Sequence, residues 1–201
     1  MQRISVVGNS GSGKSHLAAQ LAAALGAPWV ELDGVIHQKH WIDLDEDEFR
    51  RRVGATVASA SWVIDGNYSQ VRDLIWARAD TVVWLDPPRR TVMRRVLTRS
   101  LMRVLTRQEL WNGNRERWRG VLSLDPDRSI VLWAWKEHRR CQASYQTASV
   151  DPHWAYLEFV RISDEGDRNR FLSDCRASGR ASLDPDGEHR VSPSDFWDAP
   201  P

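Results

Sequence analysis

Eight consecutive residues near the start of the chain, Gly8-Asn9-Ser10-Gly11-Ser12-Gly13-Lys14-Ser15, match the pattern G-x-x-x-x-G-K-[ST]. Each position has a physical reason. The glycines allow backbone conformations that turn a row of N–H groups onto phosphate oxygens. The Lys14 ammonium reaches toward the β and γ phosphates, and the Ser15 hydroxyl is a ligand for magnesium. A helix opening at Lys14 would aim its positive end at the same anion. The loop therefore reads as a site for a nucleoside triphosphate, ATP with Mg2+. His16 is counted with it on position. No second histidine stands at ligand spacing, so an exposed or partly packed helix residue is its plainer reading.

Two aspartates stand where strand-like runs end. Asp65 closes Trp62-Val63-Ile64 and precedes Gly66; Asp33 comes after Leu32 and precedes Gly34. Ligands of open parallel sheets bind beyond the carboxyl ends of the strands. That position makes Asp65 a magnesium-side carboxylate. It makes Asp33 a contact for the phosphoryl acceptor or a general base. A plain Asp-Gly turn competes with both assignments. Asp86, before Pro87 and Pro88, reads mainly as a strand-end and helix-start residue. Ten arginines lie between Arg89 and Arg119, opposed by Glu109 and Glu116 alone. Arg95 and Arg99 stand four apart on one helix face, placed to neutralise a transferring phosphate. Taken whole, the run is equally a solvated basic face or a nucleic-acid patch.

The elements needed to hold these residues alternate in type. Strands are expected at 4–7, 29–32, 62–65, 81–85 and 156–162. Helices are expected at 14–25, 46–59 (capped by Asp45), 91–106, 128–149 and 167–177. Residues 35–44 read as a loop and 107–127 as irregular. This alternation is the pattern of an α/β fold with a parallel sheet. From Ser178, Gly, Ser, Asp and Pro dominate, and a disordered tail is expected over 178–201. The 201 residues, 41% hydrophobic, suit one domain over 1–177. The two cysteines, Cys141 and Cys175, form no metal-ligand or disulfide pattern. The eleven tryptophans read as core and interface packing. A formal net charge of +1 gives no general polyanion-binding character. With no signal-peptide pattern and no apolar run near the roughly 20 residues that span a bilayer, a cytoplasmic setting is expected.

These residues together resemble a known group. The glycine loop, the Leu32-Asp33 pair, the run Trp62-Val63-Ile64-Asp65-Gly66-Asn67-Tyr68, and the run from Ala79 to Arg89 with its basic helix are similar to the adenylate-kinase-like bacterial P-loop proteins, some of them labelled topology modulation proteins. The resemblance spans about residues 3–175. It implies a nucleoside-monophosphate-kinase-type three-layer sandwich with a five-stranded parallel sheet in the order 2-3-1-4-5, and a short arginine-rich lid at about 100–127. It implies that Asp65 holds magnesium through water and that Arg95 and Arg99 open the lid. Arg115, Arg117 and Arg119 match lid arginines loosely. Tyr68 and Arg72 would lie near the acceptor. Two departures stand out. Asn67-Tyr68-Ser69 replaces the Phe-Pro-Arg of adenylate kinases, and a short stretch around Asp33 replaces their helical AMP-binding segment. An Asp at the end of strand two is instead similar to shikimate- and gluconate-type kinases.

The expected activity is therefore an ATP-dependent phosphotransfer to an unidentified small-molecule or nucleotide acceptor, AMP among the candidates. A regulator that binds DNA or protein under ATP control is the alternative, and nucleic acid is the less favoured partner. No membrane is expected, and the chain should be a monomer or weak dimer.

Overall fold

The computed structural model describes residues 1–106, 109–114 and 130–182. Five strands form one parallel sheet: β1 (Arg3–Gly8), β2 (Trp29–Glu31), β3 (Trp62–Asp65), β4 (Thr81–Leu85) and β5 (Glu158–Ile162). Their spatial order is β2-β3-β1-β4-β5, as the resemblance implied. The three central strands β3, β1 and β4 are nearly continuous apolar runs, because helices cover both faces of the sheet. Alternate residues then serve opposite cores. Val7, Ile64, Val82 and Trp84 pack on one face with Phe49, Trp76 and Tyr145. Ile4, Val6, Val63 and Val83 pack on the other with Leu17, Leu21 and Phe171.

The helices supply the two outer layers. They are α1 (Lys14–Leu25), α2 (Leu32–Ile36), α3 (Glu46–Val57), α4 (Ser69–Trp76), α5 (Arg89–Leu105), α6 (Ile130–Ala148) and α7 (Glu165–Ser182). The first has the expected bounds, and Gly26 ends it in a left-handed conformation with φ 62°. Asp45 caps α3 as expected, its carboxylate accepting from the amides of Asp47 at 3.0 Å and Glu48 at 3.4 Å.

Three regions differ from the sequence expectation. Residues 35–44 are not a plain loop. They contain the end of α2 and a small antiparallel hairpin, His37–Gln38 against Ile42–Asp43. That hairpin has too few residues to show a period. Ser69–Trp76 is a helix that the sequence reading omitted. It places Val71, Ile75 and Trp76 in the core, and eight residues are too few to separate helix from strand by pattern. The last helix begins at Glu165 and continues to Ser182, past the expected stop at 177. The expected tail beyond 182, Arg107, and the residues loosely matched to lid arginines, Arg115, Arg117 and Arg119, lie outside the described residues. Among the described residues no helix is long and apolar enough to cross a membrane.

Asp86 is also more than a strand end. Its carboxylate is buried, pairs with the Arg161 guanidinium, and accepts from Gln142 Nε2 at 3.0 Å. The residue that precedes α5 as its cap is Pro88. Asp86 thus ties α6 to β5 and fixes the layer behind the phosphate loop.

A cap and a core residue should separate cleanly in urea unfolding. Asp45→Ala should cost about 1 kcal/mol, the loss of one helix cap. Trp76→Ala, which empties a site fully enclosed between α4 and α6, should cost about 3–5 kcal/mol.

Candidate functional site

The glycine loop joins β1 to α1 and sits at the carboxyl edge of the sheet. Gly11 has φ +79°, and a Cβ there would meet Val96 Cγ2 at 2.5 Å and the Val92 carbonyl oxygen at 3.0 Å. Only a residue with no side chain lets α5 lie this close to the loop. Gly13 precedes α1 with φ 103° and offers no side-chain cap, which leaves the first-turn amides open to an anion. Ser10 N–H donates to Asn9 Oδ1 at 2.9 Å, and Lys14 Nζ rests on the Asn9 carbonyl at 3.3 Å. The Ser12 hydroxyl is buried with no hydrogen-bond partner among the described residues. A buried orphan hydroxyl in such a loop fits a phosphate oxygen. Asn67 pins the loop's first residue, accepting from Gly8 N–H at 3.1 Å and donating to its carbonyl at 2.5 Å.

Asp65 lies where its sequence position placed it, at the end of β3 and 2% exposed. The Ser15 hydroxyl is 2.8 Å from Asp65 Oδ2 and 2.8 Å from Glu31 Oε1. One hydroxyl proton cannot be given to two carboxylates, so positive charge belongs at this corner, as a proton or a cation. Hydroxyl and carboxylate oxygens are the hard donors that magnesium takes, and the set Ser15 and Asp65 therefore fits the ion. Burial pushes the Asp65 carboxyl up to about 6, against the opposing bonds from Trp29 Nε1 and Ser15. Glu31 was not anticipated. It ends β2 two residues before Asp33, and its parallel register opposite Asp65 brings the two carboxylates side by side.

Arg95 and Arg99 both face the loop. Arg95 donates to the Ser12 carbonyl at 3.1 Å, and Arg99 donates to Ser10 Oγ at 2.9 Å. They reach it because Val92 and Val96, on the same helix, pack fully buried against Gly11. Beside Arg95 opens a cleft of about 520 Å³. Ser12, Gly13 and the exposed His16 line one side; Leu85, Pro87, Pro88 and Ile162 give apolar walls; Asp164 and Arg168 stand at its rim. His16 thus borders the cleft.

Asp33 occupies the first turn of α2 rather than the end of β2, which stops at Glu31. Its Oδ1 accepts from the Tyr68 hydroxyl at 2.7 Å. Phe49 meets the Tyr68 ring edge-on, with centroids 5.5 Å apart, and so aims the phenol. Burial pushes the phenol's pKa well above its ordinary value, helped by the carboxylates of Asp33, Asp43 and Glu31. Arg72, the other acceptor-side residue implied by the resemblance, stacks on Trp76 and Tyr145 with ring distances of 5.2 and 5.5 Å.

A second contribution was missed by sequence reasoning and comes from the described part of the lid region. The turn Trp111–Gly113 docks on the Asp33 side of the site. Trp111 Nε1 donates to Glu31 Oε2 at 2.6 Å. Asn112 donates to the His37 carbonyl at 2.6 Å, and Asn114 donates to the Gln38 carbonyl at 2.8 Å. Asn114 Oδ1 also accepts from Trp41 N–H at 3.0 Å, at a hairpin tip where His40 and Trp41 have φ of 66° and 59°. Two non-glycine residues in that region store strain that the docked asparagine helps to hold. The Asn-Gly pair at 112–113 was a readable turn signal. Its docking partner was not, since the two segments are some 75 residues apart.

No protein-family model matches the chain, and no curated protein matches it. Solved structures do. A shikimate kinase from Acinetobacter baumannii, in complex with shikimate, aligns over 90% of this chain and 94% of its own, with TM-score 0.51 and 15% identity. A gluconokinase from Sinorhizobium meliloti aligns over 90% and 93%, with TM-score 0.47 and 18% identity. The fold is that of a P-loop kinase. At such identity the likeness carries the fold and no more.

The buried Asp65 gives stability a pH dependence of stated sign. Its folded-state value, about 6, lies above the ordinary 3.8. The protonated form is thus favoured in the folded chain. Stability from this group is complete below about pH 4 and is lost as pH rises through 6. Two units correspond to at most about 3 kcal/mol. Asp65→Asn should therefore raise the unfolding free energy of the ligand-free chain at pH 8, with the gain vanishing near pH 4. Urea titrations at both pH values check this, and equal effects at the two would contradict it.

Proposed function

We propose that this chain transfers the γ-phosphoryl group of magnesium-ATP to a small acceptor. The observation that carries the proposal is the convergence at Ser15. The hydroxyl at the end of the phosphate loop meets Asp65 at 2.8 Å, and Arg95 and Arg99 are turned onto the same loop. Phosphoryl transfer is mostly positioning and charge stabilisation, and these are the groups it requires.

In this reading the loop 8–15 cradles the triphosphate, with Lys14 swinging from the Asn9 carbonyl to the β and γ oxygens. Arg95 and Arg99 exchange their loop contacts for the oxygens of the transferring group. The nucleobase enters the cleft between Arg95 and Pro87–Pro88, a volume suited to a planar ring against a guanidinium face. Magnesium bound at Ser15 and Asp65 would neutralise charge on the β and γ phosphates. Asp33, on the far side of Ser15, receives the acceptor. The docked turn at Trp111–Gly113 covers that side and keeps water from competing. The acceptor fits the small-molecule kinase pattern better than the AMP pattern, because carboxylates at Glu31, Asp33 and Asp43 surround Tyr68.

The alternative regulator rests on the arginine run and scattered tryptophans as a binding face. Among the described residues the arginines are divided. Arg95 and Arg99 turn to the phosphate loop, and Arg89 lies 3.3 Å over the Trp135 ring. The phosphotransferase reading is the better supported.

Lys14→Ala should abolish measurable ATP binding by calorimetry and ADP release in a coupled assay, while unfolding in urea stays close to wild type. Undiminished ATP affinity and turnover in that variant would overturn the proposal.

A further inference from the structure

A chain of hydrogen bonds leads away from Asp33, and phosphate binding has no use for it. Tyr68 Oη donates to Asp33 Oδ1 at 2.7 Å and lies 3.4 Å from His37 Nε2. On the other side of the ring, His37 Nδ1 stands 2.8 Å from Asp43 Oδ1. An ionised carboxylate only accepts, so this contact places a proton on Nδ1, and in the neutral ring Nε2 is then bare. The bare nitrogen faces the phenol. The Asp43 side chain is 63% exposed, so the chain ends in solvent. Asp33 Oδ2 accepts no hydrogen bond from the described residues, which leaves it for a ligand.

We propose that Tyr68 and His37 form a proton exit from the acceptor site, and that the acceptor is therefore an alcohol rather than a phosphate. The inference rests on the phosphotransferase reading above. A phosphate acceptor attacks through an oxygen that is already ionised and has no proton to lose. An alcohol must lose one. As its oxygen bonds to the γ phosphorus, the bond from that phosphorus to the β–γ bridging oxygen breaks, and ADP leaves with the electron pair. The hydroxyl proton passes to Asp33 Oδ2, and the carboxyl turns to bring that O–H to the phenol. Tyr68 then takes the proton as it swings its own from Asp33 to His37 Nε2. The imidazolium, held by Asp43, releases its proton to water, and Asp33 returns to the carboxylate. Atoms and charge balance with no other reactant.

The surroundings suit this role. The phenol is kept protonated by burial and three carboxylates, so it relays a proton and does not ionise. The groups that face His37 are Asp43 from the hairpin, Tyr68 from α4, and the rings of Trp41 and Trp111, with centroids 5.5 and 6.0 Å away. The Arg103 guanidinium lies behind Trp111, 5.9 Å from its ring. Asn112 fixes the His37 backbone through its carbonyl. Asp33 touches the acceptor and is the catalytic residue; Tyr68 and His37 act through it as positioning residues.

The test uses the full chain with ATP, magnesium and two probe sets, reading ADP release. One set is alcohols: adenosine, thymidine, glycerol, gluconate and shikimate, each read above the rate with ATP and water alone. The other is nucleoside monophosphates: AMP, CMP and dTMP. Turnover is expected with an alcohol and not with the monophosphates. With the best alcohol, Tyr68→Phe should lower kcat about 10- to 100-fold with the KM for ATP unchanged, a loss typical of one proton-transfer group. It keeps the ring that packs on Phe49. Wild-type kcat should vary with pH on the acid side, and His37→Gln should alter that limb and lower the plateau. A role in packing alone would leave the pH profile in place. Turnover confined to monophosphates overturns this proposal and leaves the kinase reading standing. So does alcohol turnover with unchanged kcat and pH profile in both variants. No ADP release with any probe, from a chain that binds ATP, removes both.

Discussion

The Ser15 hydroxyl lies between two carboxylates, and the rest of the site is arranged around that contact. Its two partners come from the ends of β2 and β3, which the parallel register places opposite each other. Its own position comes from the turn between β1 and α1. Three chain segments far apart in sequence therefore meet at one oxygen, and the order β2-β3-β1 is the condition for it. Like charges this close are unfavourable without a proton or cation between them. In the ligand-free chain the raised Asp65 answers that need. The site is thus held in a state that positive charge relieves, which is what a magnesium ion would bring.

Around this centre the two sides of the site are built differently. The phosphate-loop side is closely packed. Gly11 lets α5 close on the loop, Val92 and Val96 lock that approach, and the placement of Arg95 and Arg99 comes from their helical spacing. The Asp33 side is assembled from short pieces, namely α2, a two-residue hairpin pair and the turn at Trp111–Gly113. Such pieces bury little apolar surface of their own and depend on polar contacts to hold their shape. Asn112 and Asn114 supply these, and Trp111 connects them to Glu31 and so to Ser15. The phosphate-loop side and the Asp33 side are thus connected through the Trp111 indole N–H.

Asp33 illustrates how position and partner separate. On sequence it was a strand-end carboxylate, with acceptor binding and general-base roles both open. In the fold it sits in the first turn of α2, and its side chain is bonded by Tyr68. Tyr68 in turn caps α4, the helix the sequence pattern did not disclose. The residue could be found from its type and place. Its chemistry depends on what the tertiary structure puts beside it.

Sequence by itself determined what local physics decides. The glycine loop has one conformation that satisfies its residues, the apolar runs of β1, β3 and β4 can only be strands covered on both sides, and Asp45 can only cap the helix that starts at Glu46. From these came the parallel α/β architecture, the loop 8–15, Asp65, and the face shared by Arg95 and Arg99. The contacts of Glu31, His37, Trp111, Asn112 and Asn114 were decided by tertiary structure. These residues lie in short segments with no period. The contacts that join them to the site span 16 to 80 residues, which no local pattern encodes.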